Sequence, residues 1–158
     1  MLASEAGLKW AMRFYPPLLF QRILVKRFDK GFRGVEVRIR KSFFNTNHNG
    51  SIFGGTIYCA ADPFHPMLFY HILVLKGYKI RAWSRSSGIR YFKPAKTDLH
   101  FKIDISDTEI AACEKQLNLN GKYRKSFTVD IFDKNDVLCA SVINEMHISD
   151  LEHPEIDN

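Results

Sequence analysis

Apolar and polar positions change rhythm three times along the chain, and each change marks an element. From Val35 to Arg40, apolar Val35, Val37 and Ile39 alternate with Glu36, Arg38 and Arg40. This two-residue period belongs to a half-buried strand. Between Ile52 and Leu75 the alternation stops and the chain turns almost wholly apolar. That run is too long for a strand and predicts a long buried helix. After Gly77 the two-residue period returns in Tyr78–Trp83, in Leu99–Ile105, in Tyr123–Ile131 and again from Val137 to Ile148. Ser86-Ser87-Gly88 reads as a turn, with a short strand from Ile89 to Lys93 stopped by Pro94.

Local signals punctuate this pattern. Ser106-Asp107-Thr108-Glu109 is a capping box that opens a helix of two or three turns. Asn120-Gly121 closes it, and Asp133–Asp136 turns the chain into the last strand. Near the start, Ser4 caps a short helix over residues 4–14, which Pro16-Pro17 ends. Leu18 to Val25 reads as a second short helix. The expected organisation is an N-terminal helical extension over residues 1–30 packed on the domain, a main domain over 31–150 and a flexible tail over 151–158. The predicted class is α+β: an antiparallel sheet of five or six strands wrapped around a long central helix.

Composition narrows the function classes. With 158 residues, 46% of them hydrophobic, the chain has enough material for one domain with a true core. Three cysteines without a CxxC pair suit a reducing, cytoplasmic setting. The six histidines show no metal-ligand spacing, so no metal site is expected. Residues 1–50 hold ten Lys/Arg against three Asp/Glu, net +7, while residues 51–158 hold thirteen against fourteen, net −1. A basic first third can meet nucleic acid, an anionic surface or a phosphorylated ligand. No nucleic-acid motif accompanies it. Asp62, Pro63, His65 and Pro66 interrupt the apolar run and argue against stable membrane insertion.

The chemistry concentrates where the long apolar run begins. Asn47-His48-Asn49-Gly50 is a loop, Gly54-Gly55 opens the predicted helix, and Asp62 is a carboxylate within it. N–H groups at a helix start can hold a carbonyl oxygen or an anion. Asp62 before Pro63 also fits an N-cap of a second helical half, Asn47 also fits a plain turn residue, and the glycines also fit close packing.

These residues resemble a known pattern. A strand, an Asn-rich loop, a Gly-Gly helix start and then antiparallel strands resemble the hotdog fold over roughly residues 33–148. The central motif is similar to that of the phenylacetyl-CoA and hydroxybenzoyl-CoA thioesterases. In those, an amide residue stands six positions before a His-Gly-Gly, and an acid stands eight after the first glycine. Here Asn47 stands six before Phe53, and Asp62 eight after Gly54. Tyr15-Pro16-Pro17, Ala61-Asp62-Pro63 and Tyr91-Phe92-Lys93-Pro94-Ala95 look closer still to a thioesterase-like branch of hotdog proteins without an assigned role. Two departures stand out: Phe53 replaces the histidine, and Pro66, one turn after the acid, occupies a position where characterised relatives often carry a hydroxyl residue.

The resemblance implies an acyl-CoA thioesterase that needs no metal and no cofactor beyond the CoA moiety of its substrate. Asp62 would be general base or nucleophile, the Gly54 or Gly55 N–H the oxyanion donor, and Asn47 the group that orients water or substrate. Phe53 and Tyr58, with Phe64 and Phe69, would border the acyl chain. Ser86, Arg90 and Lys93 would lie near the CoA phosphates. The alternative is a non-catalytic acyl- or lipid-binding module. Eight helical residues separate Gly54 from Asp62 by about 12 Å. One carbonyl cannot reach both, so a homodimer with shared sites is expected, with a dimer of dimers as a further step.

Overall fold

The structure, a computed structural model, describes residues 3–153. Two short helices, α1 (Glu5–Phe14) and α2 (Pro16–Phe20), come first. The Ser4 side chain accepts the Gly7 N–H at 3.2 Å and so caps α1, as its position before the helix suggests. The next segment is a strand, β1 (Ile23–Phe28), where the sequence pattern suggested helix. Arg22, at φ 59°, turns the chain sharply out of α2, and Ile23 and Val25 then face the core. β1 pairs antiparallel with β2 (Gly34–Ile39), from Ile23 opposite Ile39 to Phe28 opposite Val35. The first thirty residues, expected as a helical extension, are thus helical as far as Phe20 and then supply an edge strand of the sheet.

The sheet continues through β4 (Leu99–Asp104), β5 (Lys122–Asp133), β6 (Leu138–Asp150) and β3 (Ile80–Tyr91), in the order β1-β2-β4-β5-β6-β3. Every pairing is antiparallel. β3 runs unbroken through Ser86-Ser87-Gly88, where a turn was expected. Its ladder with β6 slips by one residue between Ser84 and Ser86, and this bulge absorbs the polar stretch. Eleven residues of β3 have a partner on β6, and a ladder of that length outweighs local turn preference.

The central apolar run forms two helices, α3 (Gly54–Ala61) and α4 (Phe64–Leu75). Pro63 has no N–H to donate and its ring crowds the carbonyl four residues back, and the helix breaks there. α4 is buried on nearly all sides, as its composition demands. Phe64 meets Phe101 of β4 edge-on at 5.9 Å, and Phe69 meets Phe127 of β5 at 5.5 Å. Phe64 and Phe69 are thus core residues rather than the border of a ligand site. The last helix, α5 (Asp107–Asn120), opens on the expected capping box between Ser106 and Glu109. Gly121 closes it at φ 68°, a left-handed conformation that favours glycine. Of the expected tail, residues 154–158 lie outside the described residues.

Candidate active site

α3 carries the candidate chemistry at both its ends. At its start, the N–H groups of Thr56 and Ile57 bond back to the Phe53 carbonyl, at 3.0 and 3.3 Å. The Gly54 and Gly55 N–H groups precede the first helical donor, Thr56, and have no backbone acceptor among the described residues. Beside them opens a cleft of about 350 Å³. Asn47, Ser51 and Gly54 line it on one side, and Tyr91, Lys93 and Ala95 on the other. The Ile52 N–H bonds to the Ala95 carbonyl at 2.9 Å and ties the two walls together.

Asn47 earns its place twice. Its side-chain oxygen accepts from the Asn49 and Ser51 N–H groups, at 3.0 and 3.2 Å, and from the Ser51 hydroxyl at 3.2 Å. This Asx turn shapes the loop. Its side-chain NH₂ has no acceptor among the described residues. The neighbouring Asn45 is fully committed to structure: its amide nitrogen donates to the Gln21 and Arg40 carbonyls, and its oxygen accepts from Ser42.

Asp62 closes the other end of α3. Its backbone is helical, and the cap of α4 is Pro63, with no side-chain hydrogen bond. The N-cap role open to Asp62 in the sequence is therefore not the one it plays. Its half-buried carboxylate has no hydrogen bond and no ion pair among the described residues. The corner around it is held from below. Asn144 of β6, fully buried, donates from its amide nitrogen to the Ala61 carbonyl at 3.1 Å and accepts the Ser87 hydroxyl. The Ser84 hydroxyl lies 3.5 Å from the Asp62 carbonyl. Sequence reading missed Asn144. Its one signal was an amide in register with apolar Ala140, Val142, Met146 and Ile148, on the inward face of the strand.

The remaining expected site residues divide by position. Lys93 lines the cleft. Ser86 and Arg90 do not. They pair with Glu145 and Ser141 and share their face of the sheet, whereas Ile89 and Tyr91 face the helices. Ser86 donates to the Glu145 carboxylate at 3.0 Å, a sufficient structural reason for its hydroxyl. Phe53 is largely exposed, and its ring covers Gly55, where an added Cβ would lie 2.5 Å from it. Tyr58, one turn along α3, stands outside the cleft lining and is about one-third exposed. Tyr91, within the Tyr91–Ala95 motif, has its hydroxyl directly against Gly54. Burial raises its pKa above the ordinary phenol value, so it remains a hydrogen-bond donor at neutral pH. Among the described residues no group of three or more His, Cys, Asp or Glu is placed to hold a metal ion.

A family model described as a domain of unknown function, DUF4442, matches residues 5–148. The chain belongs to the DUF4442 family. No curated protein matches it in sequence. In three dimensions this DUF4442 chain is similar to PA5026 of Pseudomonas aeruginosa, at 17% identity and TM-score 0.77, with 94% of this chain and 98% of that one covered. It is similar to the thioesterase HI1161 of Haemophilus influenzae, at 11% identity and TM-score 0.69 over 98% and 97% of the two chains. It is also similar to the PaaI protein of the Escherichia coli phenylacetic acid degradation operon, at 12% identity and TM-score 0.58 over 91% and 95%. The DUF4442 chain has the hotdog fold, which it shares with these structures.

Proposed function

We propose that this protein hydrolyses an acyl-CoA thioester, with Asp62 as the base that activates water or as the attacking nucleophile. The observation that carries the reading is the Asp62 carboxylate, half-buried and without a partner in its own chain. A carboxylate that no bond or ion pair of its own chain employs is free to act on a ligand. The thioester carbonyl would sit at the start of α3, its developing negative charge held by the Gly54 or Gly55 N–H. The free NH₂ of Asn47 would orient water or substrate, and Lys93 would approach the phosphates of CoA. The substrate's CoA is the only cofactor-like group required.

The two ends of α3 lie too far apart to serve one carbonyl, so Asp62 would act in the cleft of a second copy. β3 favours such a homodimer: it is an edge strand twelve residues long, and its free N–H and C=O groups can pair with the same strand of another chain. Pairs of dimers could assemble further. Three unpaired cysteines favour a reducing compartment such as the cytoplasm.

Phe53 favours a second reading, an acyl- or lipid-binding module without turnover, because its ring offers no proton-transfer group at the helix start. Release of free thiol from a panel of acyl-CoAs separates the two. Thiol release that Asp62→Asn abolishes is expected; tight acyl-CoA binding without thiol release supports the module and overturns the enzyme.

A further inference from the structure

The N-terminal helices leave more aromatic surface uncovered than packing explains. Leu8, Met12 and Leu18 turn inward, and the Arg13 Nε donates to the Val25 carbonyl at 3.0 Å, which seats α1 along β1. The opposite side stays bare: Trp10 is 51% exposed, Phe14 68% and Phe20 66%. Asn45 donates to the Gln21 carbonyl at 2.7 Å, and this bond brings the turn bearing Phe43 and Phe44, 94% and 75% exposed, beside the end of α2. A soluble surface seldom gathers five large aromatic side chains of this exposure.

Cations are interleaved with these rings. Lys9 and Arg13 sit 5.4 and 5.1 Å from the centre of the Trp10 ring, the geometry of cation–π contacts. Lys26, Arg40 and Lys41 add charge and have no ion pair among the described residues. The three acids of the first fifty residues are already engaged. Glu5 accepts the Gly31 N–H at 2.8 Å, and Asp29 and Glu36 pair with Arg27. Arg33 and Arg38 pair with Asp107 and Asp98, so the charge left without an ion pair among the described residues includes Lys9, Arg13, Lys26, Arg40 and Lys41.

We propose that α1, α2 and the Phe43–Phe44 turn form a docking face for an anionic lipid bilayer. Aromatic rings suit the headgroup level, where one part of the side chain is apolar and its surroundings are wet, and adjacent cations meet lipid phosphates. A two-fold contact of this face with itself would instead set like charges against each other. No helix among the described residues is long and apolar enough to cross a membrane, so attachment is peripheral. It does not depend on thioester turnover.

Full-length protein is pelleted with vesicles of phosphatidylcholine alone or mixed with phosphatidylglycerol. It is expected to pellet with the anionic vesicles only, and less as salt rises. The triple variant Trp10→Ser, Phe14→Ser, Phe20→Ser should lose about a hundredfold in vesicle affinity at an unchanged thermal melt. If that variant fails to fold, Phe43→Ser with Phe44→Ser serves, expected to lose about tenfold. In a Trp83→Phe background, the fluorescence of Trp10 should shift to the blue when vesicles are added. Absence of vesicle binding by the unmodified protein, or equal binding by folded variants, overturns the proposal. So does a native oligomer that the triple variant splits without vesicles binding, which would make the face a contact between copies. Preference for duplex DNA over anionic vesicles overturns it too.

Discussion

The hydroxyl of Tyr91 occupies the space where a side chain on Gly54 would begin: a Cβ there would lie 2.6 Å from the oxygen and 2.9 Å from the ring carbon bearing it. Glycine at 54 thus leaves room for a residue thirty-seven positions away. Tyr91 can yield, since it is half exposed. Gly54→Ala should therefore change stability by less than about 1 kcal/mol, while displacing the phenol from the cleft. If the hydroxyl is a second donor to the thioester oxygen, Tyr91→Phe alone should lower turnover by about tenfold to a hundredfold. Calorimetry and steady-state kinetics on both variants check this, and an unchanged rate in Tyr91→Phe removes the hydroxyl from the chemistry.

Asp62→Asn should melt with the unmodified protein to within about 0.5 kcal/mol, because the carboxylate it loses has no partner within the chain. Its turnover should fall by about a hundredfold or more, with acyl-CoA affinity retained. Mixing it with Tyr91→Phe tests the shared site. Each mixed dimer would carry one site free of both substitutions, so subunit exchange should restore turnover above that of either variant. A monomer that is active at assay concentration contradicts the shared site.

Asn144 links Ala61, at the end of α3, to Ser87 of β3 with no exposure to water. Asn144→Leu keeps the volume and strands both partners. It should cost roughly 1–3 kcal/mol. Because the bond holds the corner that carries Asp62, turnover should fall at temperatures where the variant is still folded. A variant that melts early but turns over normally would confine Asn144 to stability.

His65 is buried and stacks on Phe127 at 4.5 Å, and its Nδ1 has no hydrogen-bond partner among the described residues. Burial lowers its pKa from the ordinary 6.5 to about 4, against a smaller opposing pull from Glu109. The folded chain then holds fewer protons than the unfolded chain between these values. Its contribution to stability is complete above pH 6.5 and declines as pH falls toward 4, by a total on the order of 3 kcal/mol. Denaturant titrations across this range should show the decline, and His65→Phe should flatten it. An unaltered pH slope in that variant assigns the effect to other groups.

The two-residue periods of β2, β4, β5 and β6, the capping box of α5 and the Asn-loop before a glycine pair were all legible from spacing alone. Each depends on near neighbours, on the alternation of a pleated chain or on a hydroxyl and a carboxylate three positions apart. Their order gave the α+β class, and their resemblance to a known family implied the hotdog fold. Tertiary structure decided what local preference could not. Ile23–Phe28 became a strand because β2 offered it a ladder, and Ser86-Ser87-Gly88 stayed extended because β6 paired across it. Ser86 and Arg90 fell on the far face of the sheet because a bulge resets which residues point inward, and no spacing in the sequence announces a bulge. Tyr91 meets Gly54, and Asn144 meets Ala61, across gaps of thirty-seven and eighty-three positions. Contacts of that separation exist only once the sheet has closed on the helices.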